Sequence, residues 1–315
     1  MTYPQGLHAI APETFAYLQP PGTWGWNNCG LVVDGSQALL VDTAYTLGLT
    51  RELLGSVAAA LPGVEIGTLV FTHGNGDHCN GNQLLAGAEM ICSAATADEL
   101  PHEISPAQMT AMMQLPAQTP VGGYMRRYFA DFDWSGIEPT PPTRTFAGRL
   151  TIPVGAREVE LIEAGPAHTD GDVFVHVPDA GVVFTGDLLF IGDHPVMWSG
   201  PVEGWVGACD QLLGTGATIF VPGHGPVADR AGVAAFRGYL EQVGVWAEKQ
   251  IAAGVAYDVA ARTFPVDGFE RWGLRERLIV TMGSIYAGHG LPSAERPALI
   301  GGMSVWGQEL AAAES

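Results

Sequence analysis

The stretch "FTHGNGDHCNGN" (71–82) sets His73, Asn75, Asp77 and His78 close together, with Gly74 and Gly76 between them. Imidazole, carboxylate and amide groups are nitrogen and oxygen donors of the kind that bind zinc, iron or manganese. The two glycines let the loop fold back so that neighbouring side chains can face one point. Asp77 and His78 are adjacent, so both reach a common centre only if a tight turn or a helix begins there.

Three more donors follow. His168 lies in "LIEAGPAHTDGD", Asp187 in "VVFTGDLLF" and His224 in "TIFVPGHGPV", each at or just after an apolar run that reads as a strand. Sites are commonly built on loops held by a rigid scaffold. Taken singly, each signal is weak. A histidine after a strand is usually an ordinary surface or core residue, and an aspartate in "TGD" could simply cap a helix. Recurring at successive strand exits, they point to a metal centre. A metal ion lowers the pKa of a bound water to about 7. Asp77 is the candidate general base beside that water. The expected chemistry is attack on the carbonyl of an ester, thioester, lactone or amide, with the metal stabilising the oxyanion. The same Lewis acid would also support an enolate, so an aldol-type ring closure is chemically open.

Strand and helix patterns place these donors. "GLVVDGSQALLVDTAY" reads as a hairpin around "DGSQ". "TRELLGSVAAAL" (50–61) has helical spacing and ends at Pro62-Gly63. "EIGTLVFTH" is a buried strand, "NGNQLLAG" the start of a helix and "AEMICSA" another strand. Residues 98–145 are rich in Met, Pro and aromatics and read as short helices forming a cover. Strands resume in "RLTIPV", "EVELIEAG", "DVFVHVPDAGVVFTGD" and "TIFVPG". From about 231 the pattern is helical. Strands before helices, twice over, predict two sheets covered by helices: residues 1–230 as the catalytic body, with 98–145 inserted as a lid, and 231–315 as a helical extension packed on it.

The chain has 315 residues, of which 47% are hydrophobic and 15% charged, enough for a substantial core. A net charge of −19 makes nucleic acid a poor partner. The four cysteines form no CxxC pair, the start "MTYPQGLHAIAPE" lacks the features of a signal peptide, and no apolar run approaches a membrane span. The expectation is a cytoplasmic protein with no membrane partner.

The motifs together resemble the metallo-β-lactamase-fold superfamily. Its H-x-H-x-D-H motif matches "HGNGDH" except at Asn75. Its later histidines match His168 and His224, its bridging aspartate matches Asp187, and its early structural aspartate matches Asp42 in "LVDT". The resemblance covers about residues 15–230 and implies an αββα four-layer sandwich, an α/β fold, with helical insert and C-terminal helical extension. It implies that His73, His168 and Asp187 hold a first metal, and that Asp77, His78 and His224, with Asp187 shared, hold a second. The expected cofactor is Zn2+, one or two ions per chain, with iron or manganese as alternatives. Asn75 is the departure. An amide is a weaker donor than imidazole, so the first half-site should bind metal less tightly, whether Asn75 ligates or only hydrogen-bonds a water there.

Substrate signals are softer. "HPVMWSGPVEGW" (194–205) follows Asp187, so Met197, Trp198 and Trp205 are read as an apolar wall. Met109, Met112, Met113, Tyr124, Met125, Tyr128, Phe129 and Trp134 are read as the lid, with Tyr124 and Trp134 against the substrate. Each of these could equally be ordinary core. Arg126 and Arg127 are a basic pair that either meets an acidic group or sits in solvent. The implied partner is a hydrophobic small molecule, free or bound to a carrier protein. Within the superfamily, "HGNGDHCNGN" and "HPVMWSGP" look most like the cyclase–thioesterase enzymes of aromatic polyketide pathways. The competing readings are a general ester or lactone metallohydrolase, a mononuclear iron oxygenase on the same fold, and a binding protein with a decayed site.

Overall fold

The hairpin forms as the sequence predicts. β3 (Cys29–Asp34) and β4 (Gln37–Val41) pair antiparallel around Gly35-Ser36, and Gly35 takes φ +59°, the left-handed region that favours glycine. They sit within a seven-stranded sheet whose strands follow chain order: β1 (Gly6–Ala11), β2 (Thr14–Leu18), β3, β4, β5 (Glu65–Val70), β6 (Glu89–Ser93) and β7 (Arg144–Phe146). The pairings up to β4 are antiparallel and those from β4 to β7 parallel. A second, five-stranded sheet holds β8 (Arg149–Val154), β9 (Arg157–Glu163), β10 (Val173–Val177), β11 (Val182–Phe190) and β12 (Ile219–His224). All its pairs are antiparallel except β11 with β12. The computed structural model describes residues 3–314.

Alternation along the strands gives each sheet two apolar faces. Val32, Leu39, Val70 and Ile91 of the first sheet meet Leu161, Val175, Phe184 and Val221 of the second in a common core. A Cβ at Gly30 would strike the Phe184 ring, so glycine there sets how closely the sheets approach. On the outer face of the first sheet, α1 (Leu47–Ala60) buries Leu53 and Val57 against Leu31, Leu40 and Leu69. The helix starts three residues before the predicted position because the Thr46 hydroxyl accepts the Leu49 N–H as an N-cap. On the outer face of the second sheet lie α6 (Val202–Gly214) and α7 (Arg230–Ala252). The result is the αββα sandwich. The predicted helix at "NGNQLLAG" is a correction: only a 3-10 turn forms, over Asn82–Leu85.

Two helical regions complete the molecule. The insert opens at the end of α3 (Ala94–Glu99) and contains α4 (Pro106–Met113) and α5 (Pro120–Phe129), with Ser105 and Gln108 forming a capping box on α4. The C-terminal region contains α8 (Tyr257–Arg262), α9 (Leu278–Gly288) and α10 (Arg296–Glu314). α10 packs against α5 and α9, so insert and C-terminus meet over the ends of the sheets. Among the described residues no helix is long and apolar enough to cross a membrane.

Candidate metal centre

The donors arrive from successive strand exits. His73 follows β5, and the chain turns at Gly74 into the four-residue helix α2 (Gly76–Cys79), which carries Asp77 and His78 together. The Cys79 thiol donates to the Gly74 and Asn75 carbonyls, which holds the turn. His168 stands in the loop between β9 and β10, braced where Thr169 N–H and Oγ–H both donate to Asp172. Asp187 lies in β11, where Gly186 at φ +51° shifts the register against β12. His224 ends β12. A Cβ at Gly223 would collide with Asp187 Oδ1, so that glycine clears the space the carboxylate occupies.

The histidines are aimed by what their other nitrogen does. His78 Nδ1–H donates to Asp42 Oδ2 at 2.9 Å. Asp42, at φ +63°, also accepts from Thr72 N–H and Oγ–H. With its own hydrogen given to Asp42, the Thr72 hydroxyl accepts from His73 Nδ1–H at 3.0 Å. His168 Nδ1–H donates to the Val196 carbonyl at 2.7 Å. In His73 and His168 the Nε2 is thus the lone-pair nitrogen, the arrangement that orients metal-binding histidines, and in His78 the Nε2 is the nitrogen at which a metal ion would replace a proton. Those nitrogens converge on Asp187. His78 Nε2 is 3.2 Å from Oδ1, and His168 and His73 Nε2 are 3.3 and 3.9 Å from Oδ2. His224 Nε2 lies 3.3 Å from Asp77 Oδ2 and 3.6 Å from Asp187 Oδ1. His73, His78 and Asp187 form one set with ligand atoms within 4.8 Å of each other, and Asp77, His78 and His224 form another.

Two observations show that these residues fit a metal ion. His73 Nε2, His78 Nε2 and Asp187 Oδ1 are buried without a hydrogen-bond partner, and buried polar groups are ordinarily satisfied. The second concerns Asn75. Its amide N–H donates to Glu103 Oε2 at 3.0 Å, and Arg296 holds Glu103 through both guanidinium nitrogens at 3.1 and 3.0 Å. A carboxylate can only accept, so the amide must turn its oxygen the other way, to 2.9 Å from His168 Nε2. Burial drives the His168 pKa down to about 3, so the ring is neutral and that nitrogen carries a lone pair. Two acceptors that close repel unless a cation lies beside them. The sequence left open whether Asn75 ligates. The structure points its oxygen at the first half-site.

Charge tells the same story. Burial alone would lower the His78 pKa, but Asp187 and Asp42 outweigh it and hold it well above the usual imidazole range. Burial would raise Asp77, yet its hydrogen bond with His224 and the charge of His78 bring it down to about 2. Buried carboxylates in this number require positive charge among them, supplied by protons or by metal.

Above the donors opens a cavity with about 860 Å³ of atom-free space, counting the part open to solvent. Asp77, His168, Asp187 and His224 line one end. Trp24, Met109, Tyr124, Phe129 and Ile300 form much of the wall. Of the residues read as substrate contacts, Tyr124 and Trp198 reach the cavity. Trp205, Trp134 and Met197 do not, which corrects the reading of "HPVMWSGPVEGW" as one wall. Trp205 is fully buried on α6, its indole N–H donates to the Leu188 carbonyl, and it packs beside His168 and Phe190. Trp134 packs among Tyr45, Phe129 and Phe132. Met197 is fully buried in the core. Met112 and Met125 line the cavity, whereas Met113 and Tyr128 pack on the core behind it. Arg126 donates to the Leu115 and Gly122 carbonyls rather than meeting an acid, and Arg127 lies over Tyr128. Among the cavity residues that carried no sequence signal are Trp24, Glu103, Arg277 and Arg296. They come from an early loop, the insert and the C-terminal region, and only the fold brings them together.

Residues 22–224 match the profile of the metallo-beta-lactamase superfamily. The chain is 26% identical over 202 residues to the 2,4-dinitroanisole O-demethylase subunit alpha of Nocardioides sp. (strain JS1661). That match covers 62% of this chain and 51% of the relative, so the chain spans about half the length of the curated relative it matches. Among solved structures, the metallo-beta-lactamase from Pontibacter korlensis is similar with a TM-score of 0.58 at 19% identity, over 76% of this chain and 99% of that one. A metallo-beta-lactamase of Pseudomonas aeruginosa in its mono-zinc form gives 0.56 at 19% identity, over 77% and 97%. At that identity the likeness is one of fold.

Proposed function

The chain belongs to the metallo-beta-lactamase superfamily, whose members are mostly enzymes and mainly hydrolases, and we propose that it is a metal-dependent hydrolase of an ester-type bond in a substrate with a flat apolar body. The observation that carries this reading is the cavity itself: a carboxylate and imidazole floor at one end, aromatic and methionine walls above it. Zinc is the proposed ion. The chemistry such an ion supplies when bound is Lewis acidity, which activates water and polarises the scissile group. His73, Asn75 and His168 would hold it in one half-site and Asp77, His78 and His224 in the other, with Asp187 between them.

The remaining work falls to the chain's own residues. Asp77 stays ionised at neutral pH and lines the cavity, where it orients the attacking water and accepts its proton. Asp42 fixes the tautomer of His78. The apolar wall excludes bulk water, which strengthens every electrostatic contact on the floor.

The narrower reading, a polyketide cyclase or thioesterase, has no support in the family match or in these relatives. It survives here as the thioester arm of the test. A second reading, cleavage of an aromatic methyl ether, is favoured by the name of the Nocardioides relative. The deciding experiment is a side-by-side panel on the purified chain: aryl esters, thioesters, lactones, 2,4-dinitroanisole, β-lactams and phosphodiesters, with and without chelator, in air and under nitrogen. The expected result is chelator-sensitive cleavage of aryl esters or thioesters at the same rate without oxygen. Turnover that stops under nitrogen would instead make the protein an oxygenase, and phosphodiesters as best substrates would also overturn the reading.

A further inference from the structure

Arg277 lies just before α9 and is 1% exposed. Buried arginines are normally paired with an acid, because a charge taken from water without a partner is strongly unfavourable. Arg277 forms no ion pair among the described residues. One guanidinium nitrogen donates to the His194 carbonyl at 3.2 Å, and Nε is buried with no partner. Its acidic neighbours do not close on it. Glu276 accepts from the Tyr124 hydroxyl at 3.0 Å, and Asp193 acts on it only as a more distant charge.

The guanidinium is packed against aromatic rings. It lies 3.9 Å from the Trp24 ring centre and 5.6 Å from that of Phe190. Trp24 is locked in turn, since its indole N–H donates to the Tyr124 hydroxyl at 2.7 Å. The plane of Phe190 lies nearly parallel to that of His224, 5.4 Å away. Arg277 therefore lines the same cavity as the donor cluster, with a single aromatic ring between it and one of the histidines. The other arginine on the wall differs: Arg296 is neutralised by Glu103.

We infer that Arg277 is the substrate's second anchor, and that it binds a planar two-oxygen group, a carboxylate or a nitro group, on an aromatic body whose reacting bond faces Asp77 and Asp187. The fork of a guanidinium matches two coplanar oxygens. The unused N–H groups supply the hydrogen bonds, and the flanking Trp24 and Phe190 rings favour a flat ligand. This rests on the hydrolase reading for the reacting end but not for the anchor, which is a statement about binding alone.

The test is a binding measurement on the metal-loaded full chain, with three probes that share one body: 2-naphthoate, 2-nitronaphthalene and naphthalene. Intrinsic tryptophan fluorescence and calorimetry report the affinity. Wild type should bind at least one of the two headed probes about tenfold more tightly than naphthalene, in line with the gain typical of a charge-assisted hydrogen bond, and the probe that gains identifies which group is preferred. In Arg277→Met that gain should vanish. In Arg277→Lys, which keeps charge without the fork, the naphthoate gain should survive in part and the nitro gain should not. Equal affinity for all three probes in wild type would overturn the inference, and so would a preference unchanged in Arg277→Met. The wild-type comparison stands even where the methionine variant fails to melt cooperatively. A head-group preference without ester cleavage would leave the anchor standing and sink the hydrolase reading; the reverse would sink only the anchor.

Discussion

The floor and the wall of the cavity are built by opposite rules. The floor donors lie at or near strand ends, within a few residues of a turn the backbone must make, and three of the histidines, His78, His73 and His168, are aimed by Asp42, Thr72 and the Val196 carbonyl. The wall is assembled from an early loop, an inserted pair of helices and a C-terminal helix pair, and no short segment forms it. Floor geometry is thus carried by the sandwich, and wall shape by elements added to it. In such a molecule chemistry and specificity can change separately.

The sharpest way to break that division is to remove floor ligands. His78→Ala and His224→Ala should each abolish activity and lower the metal bound per chain. The loss of affinity should exceed about 100-fold, since even partners one step removed from a metal typically contribute 10–100-fold. Elemental analysis after dialysis against chelator reads it. Wild-type metal content in both variants would mean that the cluster is not a metal centre.

A wall substitution should do the reverse. Phe129 is buried among Trp24, Tyr45, Phe132 and Trp134. Phe129→Ala should lower stability by about 3–5 kcal/mol, visible in urea unfolding, and raise KM for apolar substrates. Metal content should stay at the wild-type value. If metal were lost as well, floor and wall would not be separable.

The smallest effect belongs to the place where the two regions touch. Glu103→Gln can hold Asn75 with its amide turned either way, so first-site affinity should fall by about tenfold. Asn75→His supplies the stronger imidazole donor and should bring metal content closer to two per chain. A chelator titration that counts metal checks both. Equal loading of the two half-sites in wild type, unchanged by either variant, would show that the amide has no part in holding metal.

How much of this was legible in the sequence follows the same division. His73, Asp77, His78, His168, Asp187 and His224 could be picked out because each stands in a local pattern, an apolar run followed within a few residues by a donor, with glycine close by. The two sheets could be read for the same reason, from runs that are continuous along the chain. The wall could not. Trp198 and Trp205 are seven residues apart in one aromatic stretch, yet one reaches the cavity and the other is turned inward on α6. Nothing local decides which way the chain turns after Gly200. Arg277 in "LRERL" resembles any charged helix start, and only the placement of α9 against Trp24 makes it a buried cation. Asn75 was conspicuous, but its orientation depends on Glu103 and Arg296, which lie 28 and 221 positions further along the chain.

The contact Arg296–Glu103–Asn75 has a mechanical side. Glu103 belongs to the insert and Arg296 opens α10, so the pair latches one side of the cavity to the other. Asn75, at the end of the latch, faces the first half-site. By reciprocity of coupled equilibria, whatever an ion gains from a correctly turned amide it must return as resistance to prising α10 from the insert. A loaded first site then means a tighter doorway, and a doorway forced open by a bulky guest means a more loosely held ion.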